Sequence, residues 1–422
     1  MFSERTNWKL AQNRFTQALE EVRASGVQVL DLTISNPTRA GLRYDEAAIL
    51  GALASPWALD YDPQPKGLLA AREAVAEYYA AEHEVRDVDP ERIVLTTSTS
   101  EGYSFVFRLL CNAGDELLVP KPSYPLFEFL ADLQDVRLVP YPLIYDHGWQ
   151  MDFPSLERAV TERTRGVVVV HPNNPTGSFV SAGEMEMLNG FCRERGLAVI
   201  ADEVFLDYGL EAEAAQGSYQ GMPSGVPTRA VPTGSAFRRG NSDRPAESKS
   251  FVVTREVLTF TLSGLSKIAA LPQMKVAWVV TSGPRELVDA AMGRLEVIAD
   301  TYLSMNAPVQ WALPTLLEQR KDIQEQLMER VERNLAELDR QLAGQKSCSR
   351  LNVDGGWYAV LRVPITRSDE ELSIELVREQ AVVVHPGHFY DFPGDGYLVL
   401  SLITAAEEFK EGMRRVLAFL NS

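Results

Sequence analysis

In the stretch 257–278, VLTFTLSGLSKIAALPQMKVAW, Lys267 sits among apolar and small residues, with a second lysine, Lys275, eight residues on. A β-type run of Val257, Leu258, Phe260 and Leu262 precedes Lys267, followed by Ser263, Gly264 and Ser266. A lysine stripped of water loses its proton more readily and becomes an amine able to condense with a carbonyl. The same residue could equally be a surface charge after a core strand, and this stretch alone does not decide. Six more residues at four places carry chemistry of their own. Ser98, Thr99 and Ser100 place three hydroxyls where a strand passes into a helix; with the free N–H groups there they make an anion cradle, or else an ordinary N-cap. Asn174 follows the apolar run GVVVVH and precedes Pro175, which holds it extended and presents its amide, although NPTG is also plain turn chemistry. Asp202 ends the run LAVIA, where a carboxylate needs a cationic or N–H partner unless it serves as a helix cap. Tyr124, in PSYP, could cover a planar ligand or simply pack.

These residues need elements to hold them. Residues 5–25 read as an opening helix closed by Gly26, 27–34 as a short strand, and 45–54 and 68–82 as helices. A turn-rich run from Tyr61 to Gly67 separates the last two. From about residue 90 strands and helices alternate. Strands are expected at 92–96, 116–119, 136–141, 166–171, 197–201, 257–263 and 276–281, with helices between, one opened by the capping pattern of Ser181 and Glu184. Short, wholly apolar strands separated by helices indicate an α/β fold: a three-layer αβα domain around a mostly parallel sheet. Ligands of such sheets sit at the carboxyl ends of strands, where several of the residues above fall. Long helices dominate 284–342, one crossing Pro308 and Pro314, and a smaller α+β unit comes after them, with strands at 357–363, 381–385 and 397–402. The expected division is an N-terminal segment, 1–44, packed with the small domain; a large domain, 45–300; and a small C-terminal domain, 301–422. The run 211–250, rich in Gly, Ser, Pro and Ala, reads as a flexible insertion.

The chain has 422 residues, 45% of them hydrophobic, enough for a large core. Its 58 acidic and 41 basic residues give a formal charge of −17, which argues against nucleic acid or an anionic membrane as partner. Cys111, Cys192 and Cys348 are scattered, with no CxxC pair and no metal spacing, and are expected to be reduced thiols of a cytoplasmic protein without a metal. The N-terminus has no apolar core of a signal peptide, and no run is long enough to span a membrane.

Taken in order, Tyr61 to Gly67, the Ser/Thr cradle, PSYP, HPNNPTG, DEVF, SGLSK and Lys275 closely resemble the class I/II aminotransferases, pyridoxal-phosphate enzymes of the aspartate aminotransferase-like fold type I. The likeness covers about residues 31–278 and continues more loosely through GGWYAVLRVP and VVVHPG. It implies pyridoxal 5′-phosphate held by Lys267 as a Schiff base, and transfer of an amino group between an amino acid or amine and a 2-oxo acid. It further implies that Asp202 pairs with the ring nitrogen, Asn174 bonds the ring 3-oxygen, and Tyr124 stacks on the ring. Ser98, Thr99, Ser100 and Lys275 would hold the phosphate. Tyr61 would reach the phosphate of a neighbouring subunit, which implies a homodimer with shared sites.

The sequence departs from the family pattern in three places. Phe205 stands where many relatives have a tyrosine on the ring 3-oxygen, so the Schiff base is expected to keep its proton to higher pH, with Tyr208 a nearby substitute. Lys275 replaces an arginine and lacks its bidentate fork. The strand from Tyr397 to Ser401 has Val399 where the family presents an arginine for the substrate carboxylate; Arg39, Arg43, Arg362, His385 and His388 are the candidates to replace it. That loss keeps open an alternative, a lyase, elimination or decarboxylation enzyme on the same fold. A non-enzymatic ligand sensor fused to a DNA-binding domain fits the acidic chain poorly.

Overall fold

The computed structural model describes residues 1–8, 10–210, 250–303 and 305–421 of the chain. The expected insertion at 211–250 lies outside them except for Ser250. A short N-terminal strand, β1 (Leu30–Asp31), precedes the main sheet. That sheet comprises β2 (Ile93–Thr96), β3 (Glu116–Lys121), β4 (Arg137–Tyr145), β5 (Trp149–Met151), β6 (Thr164–Val170), β7 (Ala198–Asp202), β8 (Thr259–Gly264) and β9 (Ala277–Ser282), in spatial order β2-β9-β8-β7-β6-β3-β4-β5. Strands β4, β3, β6, β7 and β8 run parallel to one another, whereas β9 and the short β5 are antiparallel to their neighbours.

The apolar runs explain this sheet. Successive residues of a strand face opposite sides. In β6, Val168 and Val170 enter one core with the helices Thr99–Leu110 and Arg285–Tyr302, while Val167 and Val169 enter the other with Ala182–Arg195. Strand β7 alternates likewise: Ala198 and Ile200 on one side, Val199 and Ala201 on the other. Both faces are covered, so every position must be apolar. The capping box of Ser181 and Glu184 is formed, and Gly196 ends that helix with φ 65°, a conformation glycine adopts without strain.

A second sheet has the order β10-β11-β14-β13, with β10 (Ser349–Arg350), β11 (Tyr358–Arg362), β13 (His385–Pro386) and β14 (Tyr397–Ser401), all antiparallel. The helix Arg320–Leu342 lays Leu327, Val331, Leu335 and Leu338 against it at helical spacing. Strand β1 pairs in parallel with β12 (Val382–Val383), and the helix Arg14–Ala24 packs Phe15 and Ala18 against Ile374 and Val377.

Two expectations are corrected. The opening helix begins at Arg14, not near residue 5, because the Asn13 side chain accepts from Thr16 N–H and fixes the start there. Ahead of it, Trp8 leaves helical periodicity to pack edge-on against Phe129 and bond Asp132. The hairpin that adds β5 was not expected; His147 with φ 54° and Gly148 reverse the chain between β4 and β5.

Candidate functional site

Ser98, Asn174, Asp202 and Lys267 sit at or just beyond the carboxyl ends of β2, β6, β7 and β8 respectively. Of these, β6, β7 and β8 are hydrogen-bonded neighbours. Asp202 closes β7 and is almost wholly buried. One of its oxygens accepts from Val204 N–H at 3.1 Å and the other from the Tyr103 hydroxyl at 2.9 Å. Burial pushes this carboxyl up to about 6, against those two donors and Lys267, which favour its charged form. Next to it Glu203 is raised to about 7, again by burial; its carboxylate accepts from Ser250 and Phe251 N–H, tying down the chain where it re-enters the core.

Lys267 lies just beyond β8 in the one-turn helix Leu265–Ile268. Its Nζ lies 4.9 Å from the ring centre of Trp357 and 5.4 Å from that of Phe205. Burial brings its pKa down to about 8, with Asp202 pulling the other way. About a tenth of the amine is therefore neutral near pH 7, the state an amine needs to attack a carbonyl. The aromatic walls stabilise whatever charge remains.

Two adjacent asparagines behave differently. Asn173 is fully engaged: its amide donates to Pro122 O and to the Thr176 hydroxyl, and its oxygen accepts from Ser123. It ties the 173–177 turn to the loop carrying Tyr124. Asn174, at the same strand end, has a buried Oδ1 with no hydrogen-bond partner. Such an atom is costly unless a ligand completes it. Tyr124 is 37% exposed, edge-on to Phe127 at 6.0 Å, with its phenol raised to about 12 by burial.

Ser98 caps the helix Thr99–Leu110, its hydroxyl oxygen accepting from Glu101 N–H at 3.2 Å. Thr99 and Ser100 stand half-buried in the first turn, where helix geometry leaves N–H groups unpaired. Lys275 is exposed, at φ 56°. Tyr61 is 80% exposed. Its loop is anchored where Leu95 N–H of β2 donates to Lys66 O, three residues before Ser98. A Cβ on Gly67, whose φ is 89°, would come within 2.6 Å of Leu95.

Tyr208 does not replace the tyrosine missing at Phe205. Its hydroxyl donates to the backbone carbonyl of Lys267 at 2.6 Å, and the residue is fully buried. Strand β14 holds Leu398 and Val399 buried, with no cation. Arg39, Arg43 and His388 are exposed, and Arg362 lies over the Tyr397 ring at 5.5 Å. His385 faces the Tyr390 hydroxyl at 2.9 Å and is lowered to about 4 by burial, so it is neutral near pH 7. Sequence reasoning missed Tyr103 and Trp357, both of which read as ordinary core aromatics. Among the described residues there is no metal-binding cluster, and no helix is long and apolar enough to cross a membrane.

Comparison with known proteins gives a consistent picture. The family model described as Aminotransferase class I and II matches residues 28–415. Glutamate-pyruvate aminotransferase AlaA of Escherichia coli K12 is 26% identical over 408 residues, 94% of this chain and 91% of that protein. Alanine aminotransferase of Mycobacterium tuberculosis H37Rv is 25% identical over 417 residues, 96% of this chain and 89% of that protein. Among solved structures, alanine aminotransferase from Pyrococcus furiosus shares the fold at a TM-score of 0.81 and 22% identity, covering 100% of both chains.

Proposed function

We propose, for a chain that belongs to the aminotransferase class I and II family and moves amino groups with pyridoxal 5′-phosphate, that Lys267 is the residue that binds the cofactor and relays the proton. The observation that carries this reading is the convergence of Lys267, Asp202 and the unpartnered Asn174 on the ends of three neighbouring strands. The donor set suits the group: a buried carboxylate for a ring nitrogen, an asparagine side chain whose Nδ2 can donate to a ring oxygen, hydroxyls and helix N–H groups for a phosphate. When bound, the cofactor supplies an electron-withdrawing ring that acidifies the substrate Cα.

The chain's own residues do the rest. Asp202 sets a fixed negative charge against the ring nitrogen, and Tyr103 and Val204 N–H hold that carboxylate in orientation. Asn174 would donate from Nδ2 to the ring 3-oxygen. Tyr124 would cover one ring face. Ser98, Thr99, Ser100 and Lys275 would hold the phosphate. With the cofactor bound, the Lys267 amine would serve as the base that takes and carries the substrate Cα proton, a role suited to a group poised near neutrality.

The substrates are an amino acid and a 2-oxo acid, and the trial panel starts with alanine and glutamate because the relatives carry those names. With no acceptor present, the loaded enzyme releases one equivalent of 2-oxo acid per site and then stops; a second 2-oxo acid restarts it. Continuous ammonia release without an acceptor would instead identify a lyase.

A homodimer with shared sites belongs to the same reading. Tyr61 (80% exposed) and Trp57 (62% exposed) line a cleft of about 280 Å³ with Trp311, whose ring is 6.4 Å from that of Trp57. An apolar surface of this kind marks an interface, and the occupant we assign is a second copy. Tyr61→Ala and Lys267→Ala are each expected to be nearly inactive. Mixed and reassociated, half of the pairs hold one complete site, so roughly a quarter of all sites recover. No recovery in a verified mixed dimer would show that Tyr61 acts within its own subunit, and a fully active Tyr61→Ala would show that it does not act at all. We also place the chain in the cytoplasm, and divide it into residues 1–44, 45–300 and 301–422, the first packing with the last as β1 does with β12.

A further inference from the structure

The helix that carries Lys267 is a single turn, Leu265–Ile268. A helix this short cannot satisfy its own terminal carbonyls, and its direction is not fixed by its own hydrogen bonds. The chain leaves it through Ala270 at φ 49°, a left-handed conformation that a residue with a Cβ keeps only where its surroundings impose it. The surroundings here are three side chains from three distant segments. The Tyr208 hydroxyl donates to Lys267 O at 2.6 Å, Gln324 Nε2 to Ile268 O at 2.8 Å, and the Tyr44 hydroxyl to Ala270 O at 2.9 Å. Gln324 Nε2 also donates to Asp207 at 2.6 Å. The same carboxylate accepts from Tyr78 at 2.7 Å and lies 3.0 Å from His83 Nε2.

We propose that Gln324 and Tyr208 are positioning residues for Lys267, fixing the turn that carries it through its backbone carbonyls, with Asp207 orienting Gln324. The inference rests on the role of Lys267 given above. Neither side chain touches the reacting atoms. Gln324 belongs to the helix Arg320–Leu342, which packs on the second sheet, so the clamp also ties the lysine to that part of the molecule. Displacement of a reacting group by about 1 Å can cost a hundredfold in rate, and a lysine freed from its aromatic walls regains water and its ordinary basicity.

The test uses Gln324→Met and Tyr208→Phe, which keep buried volume and remove the donors. In the loaded enzyme each is expected to lower kcat about tenfold to a hundredfold with KM unchanged within about twofold. In the cofactor-free chain, labelling of Lys267 by an amine-reactive acylating reagent is tracked by peptide mass across pH. Its midpoint is expected to move up by about one unit in each variant. Should Gln324→Met fail to fold, Tyr208→Phe decides alone. A lowered melting temperature with kcat and midpoint both unchanged would overturn the proposal, because the bonds would then serve stability only. If borohydride fixes no cofactor mass on Lys267 of the parent protein, the role of Lys267 fails and the clamp falls with it. If the parent is labelled there and both variants match it in kcat and midpoint, the clamp fails alone.

Discussion

Lys267→Ala is expected to abolish turnover, with a loss on the order of 10⁴-fold or more, the upper end of what a positioned general base contributes. The physical case lies in the setting of the amine. Its Nζ lies beside the packed rings of Trp357 and Phe205, and burial brings it down to about 8. No other lysine stands at the carboxyl end of the β6–β8 strands among the described residues. Lys275, the nearest in sequence, is exposed. The phosphate cradle is untouched by the substitution, so Lys267→Ala should still bind the cofactor, though without a covalent link. The measurement is borohydride treatment and then peptide mapping: the parent gains cofactor mass on the peptide that contains residue 267, and the variant gains none. Added methylamine should restore a small part of the proton relay without restoring the link. A variant that keeps more than about a tenth of parental kcat would remove Lys267 from the reaction.

Much of this site was legible in the chain because parallel sheets put chemistry in predictable places. A wholly apolar strand such as GVVVVH or LAVIA must be buried on both faces, so the first polar residue beyond it is at the sheet's edge, where ligands bind. That logic reached Asp202; Asn174, which His171 and Asn173 precede, stood out because Pro175 follows it, and Lys267 stood out only through the ordered resemblance to the class I/II aminotransferases. The alternation of strand and helix was legible too, since caps such as Ser181 with Glu184 and stops such as Gly196 are local signals. What the chain did not disclose are the partners of those residues. Tyr103 reads as one more core aromatic in YSFVF, and its hydroxyl reaches Asp202 only because the helix Thr99–Leu110 crosses the sheet there. Tyr44 and Gln324 are 226 and 56 residues from the carbonyls they bind. No periodicity reports contacts of that range. Tyr208 was expected near the ring oxygen for its proximity in sequence to Phe205; a hydroxyl's direction is set by packing against Trp357, 5.1 Å away, and it turns to the backbone instead.

Asp202→Asn is the second large effect expected, a fall in kcat of about a hundredfold to a thousandfold, typical of removing one preorganised charge from a reaction centre. The asparagine keeps the shape but no longer sets a negative charge against the ring nitrogen. KM for the amino donor should change little, because the charge matters most when electrons flow toward the ring. A second signature needs no cofactor at all. Burial raises Asp202 to about 6 from an ordinary 3.8. Between those values the folded chain keeps a proton that the unfolded chain has released. The folded state therefore has its full share of stability below pH 3.8 and loses it as pH rises through about 6. Two units of difference correspond to about 3 kcal/mol. Asparagine does not titrate, so the stability gap between the cofactor-free parent and Asp202→Asn should shift in the variant's favour by about that amount between roughly pH 4 and pH 7. Glu203, raised to about 7 by its own burial, contributes a similar slope to both proteins and largely cancels. Urea unfolding of both at several pH values measures the gap. A constant gap would show that Asp202 is solvated and titrates as an ordinary carboxylate, and the case for a desolvated counter-charge to the ring would go with it. Saturating cofactor should remove the parent's loss of stability, since a cation at the ring nitrogen holds the carboxylate charged at lower pH. The same burial that costs the cofactor-free chain stability near neutrality thus gives it a site that a cationic ring completes.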